Sequence, residues 1–291
     1  MHVIVVGAGN VGYTIARMLS KQHSVLVIED DLKRYDYVVN HLNVGALNGN
    51  GASPKVLKGV INEDTNLLLA VTERDETNIF CCMMAKQINP KLVTVARVRN
   101  PDYIEGTMYS KFLNVDHIIS PEYLTAVKLM RIAMFENAVG CESIPSLGVE
   151  LAMFRVSGKR EGVTMIPLRE LPLPEECKVL VIHRGKQVIV PTPNDVLMKG
   201  DKVTIIGKGE AVSEFNRMLG TVRDPRDIVI VGGGIVGEHL ATLMEKEGLS
   251  VKLIENDEDR CRVLAKKLSR TVIINDNGSD PSVLRNENVA M

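Results

Sequence analysis

The sequence predicts an α/β chain: a doubly wound parallel sheet, then a small α+β module, then the first half of a second doubly wound sheet. Three observations predict it. Short β-branched runs alternate with segments of helical period through the first part of the chain. Glycines 7, 9 and 12 fall between the first strand and the first helix. The opening pattern then recurs about 226 residues later. Strand, helix, strand repeated in this way places crossover helices on both faces of a parallel sheet.

Residues 3–6 form a continuous β-branched run that ends at Gly7, the pattern of a strand buried on both faces. Residues 11–20 carry Val11, Ile15, Met18 and Leu19 at helical spacing, and residues 24–28 form a second buried strand. Residues 31–42 predict a helix, with Leu32, Tyr35, Val39 and Leu42 along one side. A short third strand follows at 44–47, then a helix at 54–60 with Ser53 as its N-cap. Strand four is 66–71, a helix runs over 75–87, and strands five and six are 93–98 and 115–119. After Pro121 the apolar positions Leu124, Val127, Leu129, Ile132 and Phe135 predict a helix over 123–137. The first domain is residues 1–138.

The texture then changes. Residues 140–148 hold Pro145 and two glycines and read as a linker. Strands are expected at 150–156, 177–183, 187–190 and 202–206, with turns at Arg184-Gly185 and Lys199-Gly200-Asp201. Short helices fit near 167–171 and 210–219, which makes an α+β domain of residues 141–222. The third segment, 226–291, repeats the first. Glu29 answers Glu255, Gly12 answers Gly237, and Asn48-Gly49-Asn50-Gly51 before Pro54 answers Asn275-Asp276-Asn277-Gly278 before Pro281. This copy has no counterpart to strands four to six, and a half-sheet exposes an unpaired edge. The expectation is a fragment of a longer protein with two complete units, or an edge covered by another subunit.

Composition narrows the function. A length of 291 residues suits about two domains. The 45% hydrophobic and 24% charged content is ordinary for a globular chain, with enough apolar surface to offset chain entropy. Lys plus Arg is 35 against 36 for Asp plus Glu, a net charge of -1. That balance argues against broad nucleic-acid binding, which needs an excess of cations. Aromatics at 4% and no Trp argue against a stacking platform for single strands. No apolar run reaches the roughly 18 residues a bilayer requires, and the first residues lack the basic region of a signal peptide. The five cysteines are an odd number without C-x-x-C spacing, so neither a zinc site nor a disulfide framework is expected. The composition fits a reducing, cytoplasmic setting.

The chemistry begins at Gly7-x-Gly9-x-x-Gly12. Gly7 permits the tight turn, Gly9 leaves room for a phosphate, and Gly12 lets the helix approach the strand. The helix N–H groups and positive end then face an anion. The alternative is a glycine turn with no ligand. Glu29 closes the second strand at about the spacing of a ribose ligand. Its carboxylate accepts from the 2′- and 3′-hydroxyls, at about 1.5–3 kcal/mol per charge-assisted bond. It repels a 2′-phosphate, as do Asp30 and Asp31, so NAD is preferred over NADP. The alternative is a solvated strand end. ATP and ADP also carry a ribose and phosphates, and the motif does not separate them from a dinucleotide. At the same sheet end, Asn50 can meet an adenine edge, Thr72 and Glu73 can line the cleft, and Arg97 can face a phosphate with its forked guanidinium. Each is otherwise a loop cap or an ion pair.

Catalytic candidates are few. None of the six histidines is paired in sequence with an acid, and Y-x-x-x-K, G-x-S-x-G and H-E-x-x-H are missing. A hydride-transfer enzyme needs a proton-transfer group at its substrate. No catalytic or metal-ligating residue is therefore assigned. An NAD-dependent oxidoreductase with a small substrate domain stands as the alternative. Cys81 and Cys82, beside Met83 and Met84 on an apolar helix, read as core packing.

Four further stretches carry a family likeness: Gly49-Asn50-Gly51-Ala52-Ser53-Pro54, Ala70-Val71-Thr72-Glu73-Arg74-Asp75-Glu76-Thr77-Asn78, Ala96-Arg97-Val98-Arg99-Asn100-Pro101-Asp102-Tyr103, and Val27-Ile28-Glu29. With the glycine motif they resemble the TrkA family, cytoplasmic nucleotide-binding subunits of bacterial and archaeal potassium uptake systems. These are built from RCK (regulator of potassium conductance) domains, each with a Rossmann-like TrkA-N part and a TrkA-C part. The likeness covers essentially the whole chain. It implies that Gly7, Ala8, Gly9, Asn10 and Val11 bind NAD(H) together with Glu29, Thr72, Glu73 and Arg97. In the second copy Val231, Gly232, Gly233, Gly234, Ile235 and Glu255 would do likewise, with Gly237 standing for Gly12. It implies ATP or ADP in the same cleft, a homo-oligomeric ring, and a membrane-embedded Trk-type potassium transporter as partner. It places the chain in the cytoplasm, peripheral at the inner face of the cell membrane. Two positions depart from the family: Glu29 stands where Asp is commoner, and the second copy lacks its fourth and fifth strands.

Overall fold

The computed structural model describes residues 1–104, 112–135, 137–158, 162–220 and 227–287. They form two compact units, Met1–Tyr123 and Leu124–Met291. The expected boundaries at 222 and 226 lie outside the described residues, as does position 136 of the expected helix 123–137.

The first unit alternates as expected: β1 (His2–Val6), α1 (Asn10–Leu19), β2 (Ser24–Glu29), α2 (Leu32–His41), β3 (Gly45–Asn48), α3 (Pro54–Val60), β4 (Thr65–Ala70), α4 (Asp75–Ile88), β5 (Val93–Arg97) and β6 (His117–Ile119). The strands pair in parallel in the order β3-β2-β1-β4-β5-β6. Because side chains alternate along a strand, the β1 run divides between two cores. Val3 and Val5 join Val25, Val27, Ala16 and Val38 on one face. Ile4 and Val6 join Ile28, Leu57, Leu68 and the two cysteines of α4 on the other. That is why β1 is apolar without interruption. Asp31 caps α2 by accepting from the Arg34 N–H at 2.8 Å. Ser53 holds the N-cap place of α3 but makes no side-chain capping bond, and Pro54 starts that helix.

α5 (Pro121–Met134) follows β6. In the second unit come β7 (Ala138–Ile144), β8 (Val149–Arg155), β9 (Cys177–Arg184), β10 (Gln187–Ile189), β11 (Lys202–Gly207) and α6 (Gly209–Leu219). These five strands form an antiparallel sheet in the order β10-β9-β11-β8-β7. The expected linker at 140–148 is thus corrected: it is a strand and a tight 3₁₀ turn that close a hairpin with β8. Its glycines look like breakers by composition, but an edge strand tolerates Gly140, and Gly148 supplies the positive φ of the turn, at 63°. The helix expected near 167–171 is one 3₁₀ turn, Leu168–Glu170. Phe154 and Phe215 pack in the core of this sheet at 5.9 Å between ring centres.

The third segment repeats the first half of the first unit: β12 (Asp227–Val231), α7 (Ile235–Lys246), β13 (Ser250–Glu255), α8 (Glu258–Lys267), β14 (Val272–Asn275) and α9 (Pro281–Asn286), with parallel order β12-β13-β14. Its core of Ile230, Leu253 and Leu264 packs with Met130 and Ala133 of α5. Among the described residues β12 is paired on one side, by β13, where β1 is paired on both, by β2 and β4. No helix among them is long and apolar enough to cross a membrane.

Candidate functional site

The strand order of the first unit reverses between β1 and β4, and the carboxyl ends of the strands open there into a crevice. Gly7 leaves β1 at φ 97°, a backbone region that costs an L side chain strain. A Cβ on Gly12 would sit 1.8 Å from the Gly7 carbonyl oxygen, so α1 can lie against the turn only with glycine there. Gly9 opens α1 with no side-chain cap. The first-turn N–H groups of α1 therefore have no intrahelical acceptor and no capping side chain.

Glu29 is not a solvated strand end. It is 5% exposed. One carboxylate oxygen accepts from the Ala8 N–H at 2.5 Å and the other from the Asp31 N–H at 2.9 Å. The side chain ties the glycine turn to the β2–α2 turn and faces the crevice.

The crevice holds about 480 Å³, within the usual range for small-molecule sites. Of the residues expected there, Gly7, Gly9, Asn10, Val11 and Glu29 line it, and so do Asn50, Thr72, Glu73 and Arg97. Ala8 and Gly12 do not: one is turned toward Glu29, the other packed under the turn. The Asn50 side chain accepts from the Ala52 N–H at 2.8 Å and shapes its own loop. Arg97 is paired with Glu122, and both side chains are largely buried, while the Arg97 Nε has no partner among the described residues. The fork expected to meet a phosphate is thus already committed on one edge.

Three lining arginines were not among the expected site residues: Arg34, and Arg74 and Arg99 of the family-like stretches. Arg34 reaches Glu73 at 2.9 Å, from the start of α2 to the loop after β4. Arg99 donates to the Glu73 carbonyl at 3.3 Å. Asn78 was missed as well. It is fully buried in the first turns of α4 and joins two strand ends: its Oδ1 accepts from the N–H and hydroxyl of Thr72, and its Nδ2 donates to the carbonyls of Thr72 and Arg97. Its signal in the sequence was its place at the end of the family-like stretch from Ala70 to Asn78. Sequence position alone does not show which strand end an arginine reaches.

The second copy repeats the turn closely. Gly232 has φ 103°, and a Cβ on Gly237 would lie 2.0 Å from the Gly232 carbonyl. Glu255 accepts from the N–H groups of Gly233 at 2.7 Å and Asp257 at 2.9 Å. Those bonds hold its carboxyl below the usual carboxylate range, Asp257 contributing most. Gly234 begins α7 without a side-chain cap, and Val231 and Ile235 are exposed beside it. The difference is Arg260, the counterpart of Arg34. Its Nε donates to the Gly233 carbonyl at 2.6 Å, and its Nη2 meets Glu238 at 2.5 Å. It lies on the glycine turn where Arg34 spans a crevice.

All five cysteines are buried. Burial pushes the Cys81 thiol up to about 12 and Cys177 to about 11, which leaves them without a reactive thiolate near neutrality. Among the described residues no group of His, Cys, Asp and Glu is arranged to hold a metal.

The TrkA-N domain family matches residues 3–121 and 228–291, and the TrkA-C domain family matches 166–220. The chain belongs to the TrkA family. The two TrkA-N matches fall on the two glycine-turn copies, and the TrkA-C match spans β9, β10, β11 and α6 of the second unit. This TrkA chain is 34% identical over 301 residues to Trk system potassium uptake protein trkA homolog 1 of Methanosarcina mazei, covering 99% of the chain and 73% of that relative. It is 32% identical to the TrkA homolog of Archaeoglobus fulgidus and 27% identical to the TrkA of Haemophilus influenzae, covering 66% and 64% of them. It spans about two thirds of the length of most of the curated relatives it matches. Among solved structures, the GsuK RCK domain superposes with a TM-score of 0.71 at 14% identity, over 99% of this chain and 61% of that one. The GsuK channel bound to NAD gives 0.71 at 15% identity, over 99% and 51%. At that identity the likeness is one of fold.

Proposed function

We propose that this TrkA chain is a peripheral cytoplasmic regulator that gates a Trk-type potassium uptake transporter when NAD(H), ATP or ADP occupies the first crevice. The observation that carries the reading is the crevice itself: an uncapped helix start, a glycine turn, a buried carboxylate and four arginines at one sheet end. The residues fit a dinucleotide. The first turn of α1 takes the pyrophosphate, Glu29 takes the ribose, Asn50 lies on the adenine side, and Thr72, Glu73, Arg97 and Arg99 line the far half. Bound there, NAD(H) supplies a charge that depends on its redox state. Relatives carry the name of a potassium uptake protein, and chains of like fold have been solved with NAD and with ADP. We propose further that copies assemble into a ring beneath the transporter. The second turn, at Gly232, Gly233 and Gly234, belongs to the same reading as a weaker site, because among the described residues no strands stand beside it where β4 and β5 flank the first turn.

A nucleotide gates only by binding two conformations unequally, and moving a gate from mostly shut to mostly open needs about 5.5 kcal/mol of differential binding. Copies in a ring divide that demand. The test is potassium flux through a Trk-type membrane subunit in vesicles, with this chain added and NADH, NAD, ATP or ADP varied. Flux should change with nucleotide for the wild type and lose that dependence in Gly9→Asp, whose carboxylate would occupy the phosphate position. NADH absorbance should stay constant throughout. Flux indifferent to every nucleotide, or steady NADH consumption, would overturn the proposal.

A further inference from the structure

The first crevice has a partition along one side. A neighbouring cavity of about 630 Å³, walled by Tyr13, Lys33 and Tyr37, shares Gly9, Asn10, Arg34 and Glu73 with it. Two of those four form the dividing bar: Arg34 Nη2 donates to Glu73 Oε1 at 2.9 Å. The bar lies over the glycine turn, where a Cβ placed on Gly9 would come within 3.8 Å of Arg34 Nη1. A phosphate resting on the first turn of α1 therefore arrives beside a guanidinium that already holds a carboxylate. Both backbones are anchored. The Arg34 N–H donates to Asp31 at 2.8 Å, Asn78 fixes Thr72 beside Glu73, and Arg99 donates to the Glu73 carbonyl at 3.3 Å. The side chains of the bar are exposed, at 48% and 62%, and an exposed ion pair is weak. A charge-assisted, forked bond from arginine to a phosphate is stronger.

We propose that Glu73 is a specificity-determining residue that reads the charge a nucleotide carries beyond its second phosphate, a claim that rests on the nucleotide reading of the crevice. Its carboxylate holds Arg34 until a phosphate on the glycine turn displaces it. Arg34 then serves the phosphate, and Glu73 is left as an uncompensated negative charge on the β4 side. There the ligands differ. Oxidised NAD continues into a ribose and a cationic ring, which the carboxylate attracts. NADH continues into a neutral ring. A nucleoside triphosphate continues into a further anion, which the carboxylate repels. The two halves of the bar thus divide the work: Arg34 adds affinity for every phosphate-bearing ligand, and Glu73 sorts them by charge.

The test is equilibrium dialysis of the full chain against NAD, NADH and magnesium-free ATP, for the wild type, Glu73→Gln and Arg34→Met. Both substitutions are at exposed side chains and leave the core intact. In Glu73→Gln the affinity for NAD relative to NADH should fall, and that for ATP relative to NADH should rise, each at least about threefold. Arg34→Met should weaken all three ligands. A purely structural role for Glu73 would move the three together and leave their ratios alone. Ratios unchanged in Glu73→Gln, or three ligands bound by Arg34→Met as tightly as by the wild type, would overturn the proposal while leaving the crevice reading in place. A wild type that binds none of the three would overturn both.

Discussion

Asn78 shows how much one side chain can hold at this site. Its amide satisfies the Thr72 N–H at 2.8 Å and the Arg97 carbonyl at 2.8 Å, at the ends of two adjacent strands. Removing it leaves buried backbone groups unpaired on both, each at about 1–3 kcal/mol. Asn78→Ala should therefore lower stability by about 2–4 kcal/mol in urea unfolding. Asn78→Asp, which keeps the acceptor and loses the donor, should not restore the wild type. A neutral Asn78→Ala would mean the clip is dispensable. Glu29 works similarly: it was expected as a ribose ligand, with a solvated strand end as the alternative, and the structure shows it buried as the staple between two turns. The carboxylate at the end of β2 was legible from its spacing to the glycine motif, while its buried bonds were not.

At the scale of elements, the parallel sheet of the first unit was legible because its strands are buried on both faces and its helices are periodic. The glycine spacing then placed the turn without any knowledge of tertiary structure. What escaped was whatever depends on long-range approach: Arg34 meeting Glu73, Arg97 meeting Glu122, and the hairpin at 140–148, where pairing with β8 overrides a loop-like composition. The close fit of α1 against its turn gives a sharp contrast between two helical glycines. Gly12→Ala drives a methyl into the Gly7 carbonyl, and we expect a loss of about 2–3 kcal/mol together with weaker nucleotide binding. In Gly59→Ala the new methyl meets nothing within 4 Å, and the helix should gain about 0.4–1 kcal/mol. Thermal melts of the two variants check the pair, and equal effects would contradict the packing described for α1.

At the scale of the molecule, acid should weaken the third segment. Burial alone would push Glu238 up, but its bonds with Lys267 and Arg260 outweigh that and bring it down. Glu255 is brought down by backbone N–H groups, that of Asp257 foremost. A carboxyl lowered in the folded state adds stability that is fully present above its unfolded value, about 4.3 for glutamate, and is lost as pH falls through the lowered one. Calorimetric melts should be flat from about pH 7 to 5.5 and fall below about pH 4, with a shallower acid limb in Glu255→Gln. Stability that rises on acidification would contradict this sign.

The duplicated glycine turn is built twice with the same bonds, yet among the described residues it is the first copy that has strands β4 and β5 beside it and an arginine clear of the turn. The claim underlying the whole account is that an adenosine-bearing nucleotide sits at Glu29. Calorimetric titration of NAD into the wild type and Glu29→Ala tests it most directly. A saturable site in the wild type, weakened at least about tenfold in the variant, is the predicted result. No saturable heat, or the same affinity in both proteins, would contradict it.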